Sequence, residues 1–175
     1  SAFNSGYSTG RTVTRLSTLY SGWWWWRSLQ PPHDQCGHGT SMCGFATAPR
    51  GSDGNAVGVA YNSDLISIRA VEDVVINTSD EKSGVKNALI IAGNNSGVKV
   101  ISMSIGTPFW SGTVADGIYF AHNKGKLIVA AAGTSLSWTS WWGVIFPANM
   151  SQTVAVTGVK AGEGSMAKCD ECHSG

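Results

Sequence analysis

Apolar residues come in short blocks along this chain, and the blocks alternate between two periods. The run Leu65-Ile66-Ser67-Ile68-Arg69-Ala70-Val71 reads as a strand, as do the runs at 98–105, 127–132 and 153–159. Residues 80–92 instead place Val85, Ala88, Leu89 and Ala92 at helical spacing, with Ser79 or Asp80 available as N-cap and Gly93 on the C-terminal side. Residues 113–122 predict another helix. The small apolar stretch 40–48 predicts a buried helix, stopped by Pro49 and a Gly-containing loop at 51–54. Nearer the start, residues 12–20 alternate well enough for a strand or one arm of a ribbon, and Pro31-Pro32 closes that region as a loop. Short apolar strands separated by helical stretches build βαβ units. The pattern therefore predicts one α/β domain, a parallel β-sheet flanked by helices.

Composition narrows the picture. A chain of 175 residues with 42% hydrophobic positions can bury the core of one ordinary domain. Twelve Lys and Arg oppose eleven Asp and Glu, a formal charge of +1. Such a balance gives no general electrostatic reason to bind nucleic acid or an anionic membrane. The longest apolar run, Leu127 to Ala132, is far short of a bilayer span, and no basic start leads into an apolar leader segment. Charged residues make up only 13%, beside 22 glycines and much Ser, Thr and Asn. That balance points to a secreted, extracellular enzyme.

In open α/β sheets, functional groups gather at the carboxyl ends of strands and at the helix starts next in the chain. Small or polar residues stand at such places in Gly37-His38-Gly39-Thr40-Ser41-Met42-Cys43-Gly44, in Ser104-Ile105-Gly106 and in Ala131-Ala132-Gly133-Thr134-Ser135. The order of these segments resembles the subtilisin-like serine proteases. Gly37-His38-Gly39-Thr40 with Gly44 looks like that family's histidine motif. Gly58-Val59-Ala60 with the strand from Leu65 resembles the family's stretch between the histidine helix and the next strand. The stretch from Val100 to Gly106 is similar to the substrate-pairing strand, and Ile128-Val129-Ala130-Ala131-Ala132-Gly133 to the strand leading to the oxyanion residue. Phe146-Pro147-Ala148 with Val154-Ala155-Val156-Thr157-Gly158-Val159 resembles the strand after that. The resemblance covers residues 36–159, between an aromatic and polar segment (1–35) and a Cys-containing tail (160–175). It implies a subtilisin-like fold, truncated at both ends.

The resemblance also assigns roles. His38 would be the general base, taking a proton from a serine hydroxyl and giving it to the leaving amine. Ser104, Ile105 and Gly106 would add an extended peptide substrate as a further strand. Ala131, Ala132 and Gly133 would wall the pocket for the side chain before the scissile bond, and their small size implies a preference for large apolar groups. Thr134 stands where the family usually has an Asn that donates to the oxyanion; a shorter, freely rotating hydroxyl is a weaker donor there.

Two motifs of the family are not matched. Its catalytic Asp belongs to an Asp-Ser/Thr-Gly motif well before the histidine, yet the one acid in residues 1–37 is Asp34, in a loop close to His38. Its nucleophile belongs to a Gly-Thr-Ser-Met-Ala-x-Pro motif beyond the last matching strand, and Gly175 comes first. Gly39-Thr40-Ser41-Met42 echoes that motif but has Phe45 where Pro is required; Gly164-Ser165-Met166-Ala167 echoes it with Glu163 in place of Thr. The expectation is a chain inactive by itself, whose companion fragment carries the missing serine.

Other chemistry is also written in the sequence. Cys169-Asp170-Glu171-Cys172-His173 fits a c-type haem attachment pattern, without an apolar helical surround for a porphyrin. Cys169 and Cys172 are also half of a zinc site that Cys36, His33 or His173 could complete, and disulfides or inert thiols among Cys36, Cys43, Cys169 and Cys172 are the plainer reading. No cofactor is required, and structural calcium or zinc stays open. A non-catalytic peptide- or zinc-binding relative of the protease fold is the alternative function. The eight Trp, Trp23–Trp26, Trp110, Trp138, Trp141 and Trp142, could line a groove, though one pair packing inward while the other covers a loop or partner is the plainer reading. Asn77, Asn94 and Asn149 head Asn-x-Ser/Thr sequons.

Overall fold

The protein is described by a computed structural model covering residues 11–50, 57–133 and 143–158. Strand β1 (Val13–Ser17) pairs in parallel with β4 (Leu65–Arg69), from Val13 opposite Leu65 to Ser17 opposite Arg69. Between them in sequence come β2 (Tyr20–Ser21) and β3 (Ser28–Leu29), a short antiparallel ribbon, and helix α1 (His38–Thr47). Helix α2 (Ser79–Asn94) leads to β5 (Val100–Met103), and α3 (Gly112–Asn123) leads to β6 (Leu127–Ala131). Strand β7 (Val154–Val156) completes a second parallel sheet in the order β5-β6-β7.

The apolar period of each helix explains what it covers. Val85 and Leu89 of α2, with Val114, Ala115, Ile118 and Ala121 of α3, are buried in one core with Met103, Ile128, Ala130 and Phe146. The two helices approach closely because glycines face their partners. A Cβ on Gly117 would lie 2.9 Å from Leu89, and one on Gly93 would lie 2.9 Å from Phe120. A Cβ on Gly84 would lie 2.4 Å from the carbonyl oxygen of Ala70, so only glycine lets α2 rest on the chain leaving β4. Gly93 is thus an interior packing residue of α2, and the helix ends at Asn95. Lys126 is buried beside that end, and its Nζ donates to the Asn95 and Val98 carbonyls at 2.7 and 2.8 Å. The ammonium thereby ties together the turn after α2, sharing the Asn95 carbonyl with the Val98 amide.

The N-cap of α2 is Thr78, one residue before the expected Ser79 or Asp80. Its hydroxyl accepts from the Glu81 amide, and the Glu81 carboxylate accepts from the Thr78 amide, a reciprocal capping box. Two other expectations also change. The helix at 38–47 is present, but only Thr47 in it is buried. The tryptophans do not form a strand with one pair turned inward: residues 24–26 form a 3-10 turn, and Trp23, Trp25 and Trp26 are exposed. No described helix is long and apolar enough to cross a membrane.

Candidate active site

The helix start that carries His38 is shaped by Asp34. Its carboxylate accepts from the Gly37 amide at 2.9 Å and from the Thr40 amide at 2.6 Å. Partial burial pushes this carboxyl up. Hydrogen bonds from the Thr40 hydroxyl and amide and from the Gly37 and Cys36 amides outweigh that and hold it below the ordinary carboxylate range. Asp34 therefore supplies the negative charge and acceptors that the N-terminus of α1 requires. Gly37, at φ 80°, provides the left-handed turn into the helix.

His38 is the first residue of α1, half-buried, and its Nε2 lies 2.9 Å from the carbonyl oxygen of Ser104, 66 residues away. The histidine and the end of β5 are thus brought together. A carbonyl only accepts, so Nε2 carries the proton and the lone pair of the neutral ring sits on Nδ1. No described residue is hydrogen-bonded to Nδ1. A base that takes a serine proton at Nε2 needs the opposite tautomer, which a carboxylate accepting from Nδ1–H would impose.

Ser104, Ile105 and Gly106 come directly after β5. The Gly106 amide donates to the Val74 carbonyl at 3.1 Å, and its carbonyl accepts from the Ile76 amide at 2.9 Å, so Val75 and Gly106 form a parallel bridge. The chain's own segment 74–76 is therefore paired with the edge expected to receive a peptide. That segment is anchored by Glu81, a residue 5% exposed whose carboxylate accepts from the amides of Glu72, Asn77 and Thr78 at 3.2, 2.9 and 2.8 Å. Burial pushes the Glu81 carboxyl up, but these backbone donors and the Thr78 hydroxyl together bring it below its ordinary value.

Ala131 ends β6, and Ala132 and Gly133 come next. Ala132 donates to the Val156 carbonyl at 2.8 Å and accepts from the Ile145 amide at 3.1 Å. Gly133 has φ +97°, a conformation that favours glycine. Thr134, Trp138, Trp141, Trp142, Ser165, Cys169, Cys172 and His173, on which the oxyanion, haem and zinc expectations fall, lie outside the described residues. Among the described residues, Cys36 and Cys43 are free thiols not bonded to one another, and no cluster of His, Cys, Asp and Glu could hold a metal ion. Ser41 is exposed on α1. Sequence reasoning did not single out Val74–Ile76, Glu81 or Ile145. The Thr78-x-x-Glu81 spacing was a visible capping signal; the others depend on contacts between distant segments.

Comparison with known proteins decides the family. A model described as "Subtilase family" matches residues 23–171. This chain belongs to the subtilase family. Among curated subtilases, it is 33% identical over 128 residues to a thermophilic serine proteinase of Bacillus sp. (strain AK1), a match covering 73% of this chain and 30% of that protein. It is 28% identical over 117 residues to thermitase of Thermoactinomyces vulgaris, covering 67% of this chain and 40% of the relative. The chain thus spans less than half the length of these relatives. Sphericase, a solved structure, matches with a TM-score of 0.66 at 23% identity over 94% of this chain and 60% of that one. The α/β architecture is therefore the subtilisin-like one.

Proposed function

We propose that this chain is the histidine-bearing part of a subtilisin-type serine endopeptidase that hydrolyses peptide bonds in polypeptide substrates. The observation carrying this reading is the His38–Ser104 contact, which sets the histidine of the family motif against the end of the substrate-pairing strand. In the reaction, a serine oxygen attacks the scissile carbonyl while His38 takes its proton at Nε2, and His38 then passes that proton to the leaving amine. The chain by itself is expected to be inactive, because the family's serine and aspartate motifs are not matched in it. A companion polypeptide supplies the serine and a carboxylate that accepts from Nδ1–H.

Other features support a companion. Helix α1 carries no acidic residue in its first turn and no basic residue in its last, and it leaves Phe45 70% exposed beside Val59 at 94%. Apolar side chains on the helix that bears the base are a surface suited to being covered. Secretion fits the low charge and the abundance of small polar residues, and Thr134 remains the proposed oxyanion donor. Intact-mass spectrometry after treatment with a serine-reactive fluorophosphonate tests the reading. The 175-residue chain should stay unlabelled while a companion polypeptide takes the label. An adduct on Ser41 or Ser165 would place the nucleophile within this chain and overturn the proposal. Stoichiometric zinc with no labelled species would favour the non-catalytic relative.

A further inference from the structure

Residues 20–29 carry the most exposed of the described tryptophans on a short, firmly rooted ribbon. The root is buried. Leu19 is 1% exposed, its carbonyl accepts from the Gln30 amide at 2.8 Å, and the Thr18 hydroxyl donates to the Gly84 carbonyl of α2 at 2.8 Å. Beyond it, Tyr20 pairs with Leu29 and Ser21 with Ser28. The tip is closed by the Trp26 amide, which donates to the Trp23 carbonyl at 3.0 Å. Gly22 permits that closure: its φ is +120°, and a Cβ there would lie 2.5 Å from the Trp26 carbonyl oxygen. From this tip Trp23, Trp25 and Trp26 project, 90%, 81% and 81% exposed. Arg27 is the one charged residue between Leu16 and Pro32. Its guanidinium is held at the protein body, bonded to Asp80 in the first turn of α2 and lying over the Tyr20 ring.

We propose that this tip is a lipid-docking element that seats in the interface of a zwitterionic bilayer, with the indoles of Trp23, Trp25 and Trp26 at headgroup depth. An indole has an apolar ring and a single N–H donor, so it is best accommodated where hydrocarbon meets polar headgroups. The tip brings in no charge that must be stripped of water, because the one cation beside it is paired with Asp80. A second copy of the chain is a poorer match. Three indoles offer about 450–750 Å², below the roughly 800 Å² that a stable dimer takes from each partner. A convex tip also presents no hollow to its own copy, whereas a fluid interface closes around it. Two-residue strands are far too short to span hydrocarbon, so the ribbon lies at the surface. The near-neutral net charge gives no attraction to anionic lipid, and an uncharged tip needs none. Lipid docking of this kind is independent of the chemistry at His38.

Co-sedimentation of the whole chain with phosphatidylcholine vesicles tests the assignment. The unaltered chain should pellet with the vesicles, and raising salt from about 0.05 to about 0.5 M should change its partitioning less than about twofold, since no charge is engaged. Trp23→Ser, Trp25→Ser and Trp26→Ser together should lower partitioning about tenfold or more, because binding scales with the apolar area buried. Trp23→Ser alone should shift it in the same direction, and this milder variant keeps the test decisive if the triple variant fails to fold. Brominated phosphatidylcholine should quench the fluorescence of the unaltered chain and leave that of the triple variant nearly unchanged. Absence of the chain from the vesicle pellet at every salt concentration would overturn the proposal. Equal partitioning of all three proteins would place the contact on another apolar surface, such as that around Phe45, and overturn it too. Binding that requires added phosphatidylglycerol and disappears in salt would show electrostatic attraction instead. A chain that dimerises through the tip and ignores vesicles would make a second copy the occupant. Either of these results removes the lipid assignment.

Discussion

His38 Nε2 and the Ser104 carbonyl oxygen are 2.9 Å apart, and this one contact fixes the tautomer of the proposed base. Because the oxygen can only accept, the neutral ring carries its proton on Nε2 and its lone pair on Nδ1. Nitrogen chemical shifts of the neutral His38 ring should therefore show Nε2–H in the isolated chain. Binding of a companion with a carboxylate at Nδ1 should move the proton to Nδ1. Finding Nδ1–H in the isolated chain would mean that some group outside the described residues already orients the ring, and that the base is ready without a companion acid.

Glu81 is the second point at which a single side chain organises the site. It is buried, closes the capping box with Thr78 and accepts amides from both ends of the segment 72–78, which runs along Gly106. Glu81→Ala leaves those amides without their acceptor, and a loss of about 3 kcal/mol is expected in denaturant unfolding. Glu81→Gln keeps one acceptor oxygen and should cost about 1 kcal/mol. The carboxyl lies below its ordinary value in the folded chain. Its contribution is thus present in full above the unfolded-state value and is lost as pH falls through the folded one. The stability difference between the chain and Glu81→Gln should shrink from about pH 5 downward. A difference that stays constant with pH would show that the charge of Glu81 is not what matters.

How much of this could be read from sequence depends on how local the determinant is. The strand at 65–71 and the helix at 80–92 were legible because each carries its own period, and β4 and α2 fall within a few residues of those bounds. The cap shifted to Thr78 because a Ser, an Asp and a Thr stand side by side there, and only the reciprocal bond to Glu81 selects among them. Helix α1 was expected to be buried from its composition. Burial is set by what packs against a helix, and among the described residues little covers Phe45. His38 was legible through its glycine-flanked motif. The pairing of Val75 with Gly106 was not, since nothing in either segment names its partner.

Asp34 precedes α1 by the same logic that places acids at helix starts, although it stands outside the helix in a loop. Asp34→Ala removes the acceptor for the Gly37 and Thr40 amides, and a loss of about 1 kcal/mol is expected. Amide exchange at Thr40 should accelerate, and His38, as first residue of the helix, should lose its fixed contact with Ser104. Asp34→Asn retains a side-chain oxygen and should fall between the two. If Asp34→Ala leaves Thr40 exchange unchanged, the cap does not stabilise α1.

The pairing of Val74–Ile76 with Gly106 makes peptide binding a competition within the chain. Gly106 has one backbone donor and one acceptor, and both are already engaged, by Val74 and Ile76. A peptide that adds at this edge must displace that segment, and the energy of separating the two strands is subtracted from its affinity. Native-state hydrogen exchange can follow both partners at once. In the free chain, the Gly106 and Ile76 amides should be protected to a similar degree, because one opening exposes both. With an extended tetrapeptide such as Ala-Ala-Pro-Ala bound, Gly106 should remain protected, since the peptide now accepts its hydrogen, while Ile76 should exchange faster by tenfold or more. Protection of both amides in the bound state would show that the peptide seats elsewhere and leaves the internal pair intact. Rapid exchange of both in the free chain would show that the edge is open without a ligand, and no competition would then need to be overcome.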